Sequence, residues 1–256
     1  MATWDSVQYL RFVAERSRPA RDLLARVPIE APGRVYDLGC GPGNITRLLA
    51  ERWPAAEIVG IDSSPEMLAK ARAGESAGIR WEEADLRTWT PAKPAELFYS
   101  NAALQWLPDH DRQFPRLAGL LAPGAVLAVQ MPRNQGEPSH TLMFDTVEDG
   151  PWAARLRPLM RRQPVAASEA YYDWLSPVVL RVEVWETIYW QVLDGENPVV
   201  EFTKGTALRP FLEALEGDER QAFLDAYARR IRAAYPPRPD GRTLFPFRRL
   251  FIVATC

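Results

Sequence analysis

Between residues 33 and 131, short apolar runs alternate with stretches in which hydrophobic side chains recur every three or four positions. That alternation predicts strands joined by helices, and so a parallel sheet with helices packed on its faces. Val35, Tyr36 and Leu38 form the first run. It stops at Gly39, Gly41 and Gly43, after which Asn44, Ile45, Leu48, Leu49 and Trp53 keep helical spacing until Pro54. Further strands are predicted at 57–62 (E-I-V-G-I-D), 79–85 (I-R-W-E-E-A-D), 97–101 (L-F-Y-S-N) and 125–131 (A-V-L-A-V-Q-M). Ser64 and Pro65 start a helix through Met67, Leu68 and Ala71. Leu120, Leu121, Pro123 and Gly124 mark a helix end and a turn before the fifth strand.

The flanks read differently. Val7, Leu10, Phe12 and Val13, then Leu23, Leu24 and Val27, predict two short helices broken before Pro19 and lying over the mouth of the sheet, because a residue preceding proline is disfavoured from helix. Residues 178–192 alternate as a long strand near the sheet edge. Residues 197–235 are helical, carried by Phe211, Leu212, Leu215, Phe223, Leu224, Tyr227 and Ile231, and 249–255 closes the sheet. The expected organisation is a helical segment at 1–32, an α/β core at 33–135, a cap segment at 136–177, and a region at 178–256 whose strands enclose helices at about 194–244.

Composition narrows the functions. With 256 residues the chain suits one domain carrying an insertion. A net charge of −2 supplies no field for nucleic acid or an anionic membrane. Two cysteines, Cys40 and Cys256, and two histidines, His110 and His140, make neither a disulfide framework nor a metal site. The N-terminus lacks a basic and then apolar leader, and no apolar run reaches membrane-spanning length. A cytoplasmic monomer acting on a small molecule is the expectation. Many of the 23 prolines and nine tryptophans fall after residue 130, which points to an irregular second region.

The glycine turn carries the chemistry. Glycines let a ligand lie against bare backbone, and the following helix start presents free N–H groups. A dinucleotide fingerprint requires G-x-G-x-x-G. Here the third glycine comes one residue early and Asn44 stands in its place, which disfavours a nicotinamide oxidoreductase. Asp37, two residues before the first glycine, suits a ligand ammonium and would repel a pyrophosphate. Asp62, nineteen residues past Gly43, suits two ribose hydroxyls.

D-L-G-C-G-P-G (37–43) resembles the first motif of the class I S-adenosylmethionine (SAM) dependent methyltransferases. The resemblance implies a Rossmann-like seven-stranded sheet with helices on both faces and a helical cap. It implies SAM as methyl donor, released as S-adenosylhomocysteine. Asp37, Gly39, Cys40, Gly41, Asn44 and Asp62 would then hold the cofactor, joined by Ser63, Met67, Asp85, Leu86 and Asn101. In that pattern Asp85 faces the adenine amino group.

N-A-A-L-Q-W-L-P-D-H (101–110) within the core, and A-E-R-S-R-P-A (14–20), A-Y-Y-D (170–173) and G-T-A-L-R-P (205–210) outside it, are similar to the subfamily that methylates a carboxylate of trans-aconitate. That likeness implies in-line transfer to a carboxylate of a small tricarboxylic acid. An ionised carboxylate needs no general base.

Arginine grips carboxylates two oxygens at a time. Arg16, Arg18, Arg133, Arg209, Arg242, Arg248 and Arg249 fall in segments able to reach the mouth of the sheet, with Arg18 and Arg209 foremost. Asn134, Gln135 and His140 add neutral hydrogen bonds. Gln105, Tyr171 and Tyr172 are the candidates for orienting the reacting carboxylate. Another small carboxylate or hydroxyl acceptor, or a SAM-binding regulator without turnover, stays open at this point.

Overall fold

In the computed structural model, which describes residues 13–74, 78–160 and 165–256, the glycine turn sits at the end of a central strand. This is β1 (Arg34–Leu38), paired in parallel with β2 (Glu57–Asp62) and β4 (Leu97–Asn101). With β3 (Ile79–Glu83), β5 (Val126–Pro132), β6 (Arg181–Leu193) and β7 (Thr243–Thr255) they form one seven-stranded sheet ordered β3-β2-β1-β4-β5-β7-β6. β7 runs antiparallel to β5, from Val126 opposite Thr255 to Pro132 opposite Arg249. Strand order reverses between β1 and β4, and in open α/β sheets such a point opens a crevice beyond the carboxyl ends of the strands.

β1, β4 and β5 read as continuous apolar runs because both their faces are covered. The core around them joins Tyr36, Phe98 and Trp89, whose rings meet at 5.1–5.8 Å, to Leu127, Ile252 and the residues packed on them. The chain divides into two compact units. The larger holds Arg16–Pro132, Pro164–Thr187 and Arg249–Cys256. The second is built on Arg133–Gln163 and Ile188–Arg248 and has a core of its own, including Trp152, Phe202, Phe223, Tyr227 and Phe245. Among the described residues no helix is long and apolar enough to cross a membrane.

Several details differ from the pattern reading. The helix Val13–Ala25 runs through Pro19 instead of breaking before it. Proline removes one helical hydrogen bond, but Ala20, Leu23 and Leu24 are buried, and the Tyr99 hydroxyl donates to the Ala20 carbonyl at 2.6 Å. Tertiary anchoring thus holds the helix together. The upstream half of that expectation, residues 5–12, lies outside the described residues. β3 stops two residues before Asp85, because the Ala84 N–H bonds the Asp62 carbonyl and the Thr88 and Trp89 N–H groups turn back to Asp85. β7 begins at Thr243 rather than 249. Residues 164–177, expected in the cap segment, fall in the larger unit.

Tyr99→Phe removes the strand-to-helix hydrogen bond while keeping the ring. It should lower stability by about 1 kcal/mol, read as a shifted urea midpoint at unchanged slope. An unaltered midpoint would mean the helix is not held this way.

Candidate active site

Each glycine of the turn has a different reason to be there. At Gly39, with φ of 78°, an added Cβ would lie 2.2 Å from the Ala103 Cβ, so this position is where the loop after β4 closes on the turn. At Gly43, with φ of 80°, a Cβ would strike the Trp81 ring at 2.4 Å. Nothing lies within 4 Å of the corresponding point at Gly41, whose backbone faces open space. Gly39 and Cys40 both donate to the Ile61 carbonyl at 2.8 Å, which ties the turn to β2. Asp62 completes the frame: its two oxygens accept the Gly41 and Ser64 N–H groups at 2.8 and 2.9 Å.

Asp37 lies under this turn. It is 1% exposed, and one carboxylate oxygen accepts the Thr46 hydroxyl at 2.6 Å. Burial raises its pKa to about 7; the Thr46 hydrogen bond opposes the shift and the nearby Asp62 charge adds to it. Among the described residues no cation contributes to its environment. Burial, then Asp37 and Asp62, likewise push the Cys40 thiol up, so Cys40 stays protonated and inert.

The segment after β4 forms the other wall. Ala102 has a φ of 52°, unusual for a residue with a β-carbon, and is held on both sides. Its N–H donates to the Gln130 carbonyl at 2.9 Å and its carbonyl accepts the Gln105 side-chain amide at 2.7 Å. Strain of this kind persists where the surroundings over-determine it, most often at ligand sites. Gln105 Oε1 and Asn101 Oδ1 are buried acceptors with no hydrogen-bond donor. One buried and one partly exposed carboxylate, two unfilled acceptors and an open stretch of glycine backbone suit a ligand that brings ammonium, hydroxyl and sulfonium groups.

The remaining candidates are distributed unevenly. Asn44 opens the helix Asn44–Arg52 and is exposed, as is Ser63. The Met67 N–H is capped by Ser64. Both oxygens of Asp85 are engaged by Arg87, and that hydrogen bond holds its pKa below the usual range. Leu86 is buried in the core, its carbonyl accepting from Arg116. Tyr171, expected at the acceptor, is 0% exposed, and its hydroxyl is shared by the His110 ring at 2.6 Å and the Ala166 N–H at 3.2 Å. That residue supports the core. Tyr172 is exposed and lines a cavity of about 650 Å³ with Arg26, Glu169 and Trp185, away from the glycine turn.

Arg18 is exposed on the Val13–Ala25 helix, and the side chain of Arg16 lies outside the described residues. In the second unit, Asn134 accepts the Arg248 N–H at 2.8 Å, the Arg133 N–H donates to the Arg248 carbonyl at 3.0 Å, and Arg248 pairs with Glu137. Nearby, half-buried His140 contacts the Ser139 hydroxyl at 3.1 Å; burial lowers its pKa to about 4, with Glu137 opposing. Arg209 pairs with Glu213 one helical turn on, and Arg242 with Asp194. Pattern reading did not single out Thr46. The available signal was a polar residue at a buried position of an otherwise apolar helix face.

A family model described as a methyltransferase domain matches residues 35–124. The chain is 56% identical over 254 residues to the trans-aconitate 2-methyltransferase of Azoarcus sp., covering 99% of each. It is 51% identical over 257 residues to the protein of the same name from Methylobacterium radiotolerans, covering 99% of this chain and 98% of that one. The chain belongs to the trans-aconitate 2-methyltransferase family. The solved structure of a SAM-dependent methyltransferase from Mesorhizobium loti matches with a TM-score of 0.51 at 21% identity, covering 93% of this chain and 97% of that one. At that identity the likeness speaks for the fold alone. Likeness to the family members extends through both units, well beyond the matched domain.

Because burial raises the pKa of Asp37, the ligand-free fold favours its protonated form. The stability so gained is present below the unfolded value near 4 and is lost as pH rises through about 7. Asp37→Asn keeps an acceptor for Thr46 and removes the charge. It should raise the Tm of the ligand-free protein more at pH 8 than at pH 5, with an upper bound of about 4 kcal/mol at the higher pH. Equal gains at both pH values would contradict this environment for Asp37.

Proposed function

We propose that the protein methylates one carboxylate of trans-aconitate, giving a monomethyl ester and S-adenosylhomocysteine. The observation that carries the reading is the full-length likeness to the named relatives combined with a buried, cation-free acid under the glycine turn. SAM, when bound, supplies an electrophilic methyl group on a sulfonium sulfur. Asp37 in its ionised form receives the ammonium of the methionine moiety. Asp62 accepts ribose hydroxyls with the lone pairs left after holding Gly41 and Ser64. Asp85 would take the adenine amino group, its pair with Arg87 being solvent-exposed and so of little worth.

The acceptor needs no deprotonation, since carboxylates titrate near pH 4. That accords with two histidines whose pKa values burial lowers and which lack the character of a surface base. Positioning and water exclusion then supply the rate. Arginines hold the carboxylates that do not react, because a guanidinium on the reacting one would blunt it. Arg18 is the first candidate. Arg209 is the second, its exposed pair with Glu213 being worth only a few tenths of a kcal/mol. The protein works as a monomer on a small molecule, with no part for nucleic acid.

An end-point assay with SAM and trans-aconitate, beside cis-aconitate, citrate, isocitrate and a neutral phenol, should yield a monomethyl ester most strongly from trans-aconitate and none from the phenol. Arg18→Ala or Arg209→Ala should raise KM for the acid about tenfold, the loss of roughly one charged hydrogen bond. An unchanged KM in both variants would remove these arginines from the site.

A further inference from the structure

Gln130 on β5 is 1% exposed, and its side-chain Nε2 has no hydrogen-bond partner. Buried amides in native proteins are nearly always satisfied, so a deeply buried donor of this kind, unpaired among the described residues, is a place for a ligand group to bind. Its place in the fold is specific. Gln130 stands opposite Asn101 in the β4–β5 register, and its carbonyl holds the strained Ala102, whose neighbour Ala103 closes on Gly39.

The polarity of the surrounding groups divides in two. Asn101 and Gln105 present unfilled oxygens, which can only accept. Gln130 presents an N–H pair, which can only donate. Arg249, 6% exposed and opposite Pro132 in the β5–β7 register, adds a buried positive charge. Residues two apart on a strand share a face, and register partners project together, so Asn101, Gln130, Pro132 and Arg249 belong to the same face of the sheet. Acceptors suit a cationic methyl donor, whereas a neutral donor beside a guanidinium suits an anion.

We propose that the Gln130 side-chain amide, with Arg249 beside it, forms a carboxylate-binding subsite that positions the acceptor acid. This rests on the reading of the reaction above and adds to it a positioning residue on the core sheet, independent of the cap. A neutral amide also orients a carboxylate without withdrawing much of its electron density, so Gln130 can serve close to the reacting group.

Gln130→Met keeps the volume and deletes the donor. KM for trans-aconitate should rise about ten- to hundredfold, as for one hydrogen bond to a charged group, while the SAM dissociation constant stays within about twofold and the ligand-free Tm is unchanged or higher. A dicarboxylate acceptor lacking the carboxylate seated by Gln130 should lose less than trans-aconitate does, so selectivity between the two falls. If Gln130→Met does not fold, Gln130→Asn, which withdraws the amide by one methylene, must show the same KM shift. An unchanged KM, as expected if the amide merely holds a buried water, would overturn the proposal. So would a loss of Tm or SAM affinity matching the loss of activity, which would make Gln130 a packing or cofactor residue. If the wild-type protein turns over no carboxylic acid, the reaction reading itself fails, an outcome distinct from an active variant with normal KM.

Discussion

A carboxylate sealed beneath a turn of glycines, with a second carboxylate close by and no cation among its described neighbours, is costly to keep in a folded protein. Asp37 is in that position, and the local structure is arranged around it. Thr46 satisfies one oxygen from the helix that follows the turn. Asp62 spends its own oxygens holding the turn and the next helix start in place. Close packing of Ala103 on Gly39 and of Trp81 at Gly43 leaves no room for side chains at either position. On the proposed reading a cationic ligand would recover that cost, which would make an environment unfavourable to the empty fold selective for a positively charged cofactor.

Around that centre the sheet separates tasks. The parallel strands carry the glycine turn, Asp62 and the segment after β4 at their carboxyl ends, and β7 returns antiparallel to bring Arg249 beside the end of β5. The second unit has its own aromatic core and a polar group of Asn134, Glu137, Ser139, His140 and Arg248.

The sequence was most legible where one local rule decided the outcome. β2 at Glu57–Asp62 and β4 at Leu97–Asn101 begin and end where their apolar runs do, because a strand covered on both faces leaves no polar gap. The glycine turn, Asp37 and Asp62 were visible for the same reason: spacing alone places them at a strand end. What stayed hidden depends on distant partners. Pro19 continues a helix because buried side chains and Tyr99, bonded to Ala20 from seventy-nine residues on, hold it. Tyr171 is taken out of reach by His110, sixty-one residues away. The left-handed conformation of Ala102 has no local signal, since that region normally favours glycine.

The most direct test of the central claim is calorimetric titration of SAM at pH 6 in two buffers of different ionisation enthalpy. At that pH the ligand's amine is already protonated, whereas Asp37, with a pKa of about 7, is largely neutral in the free protein. Binding should therefore release close to one proton from the wild-type protein and none from Asp37→Asn, which should also bind more weakly. No proton release from the wild type, or equal release from both, would contradict Asp37 as the buried partner of the cofactor's positive charge.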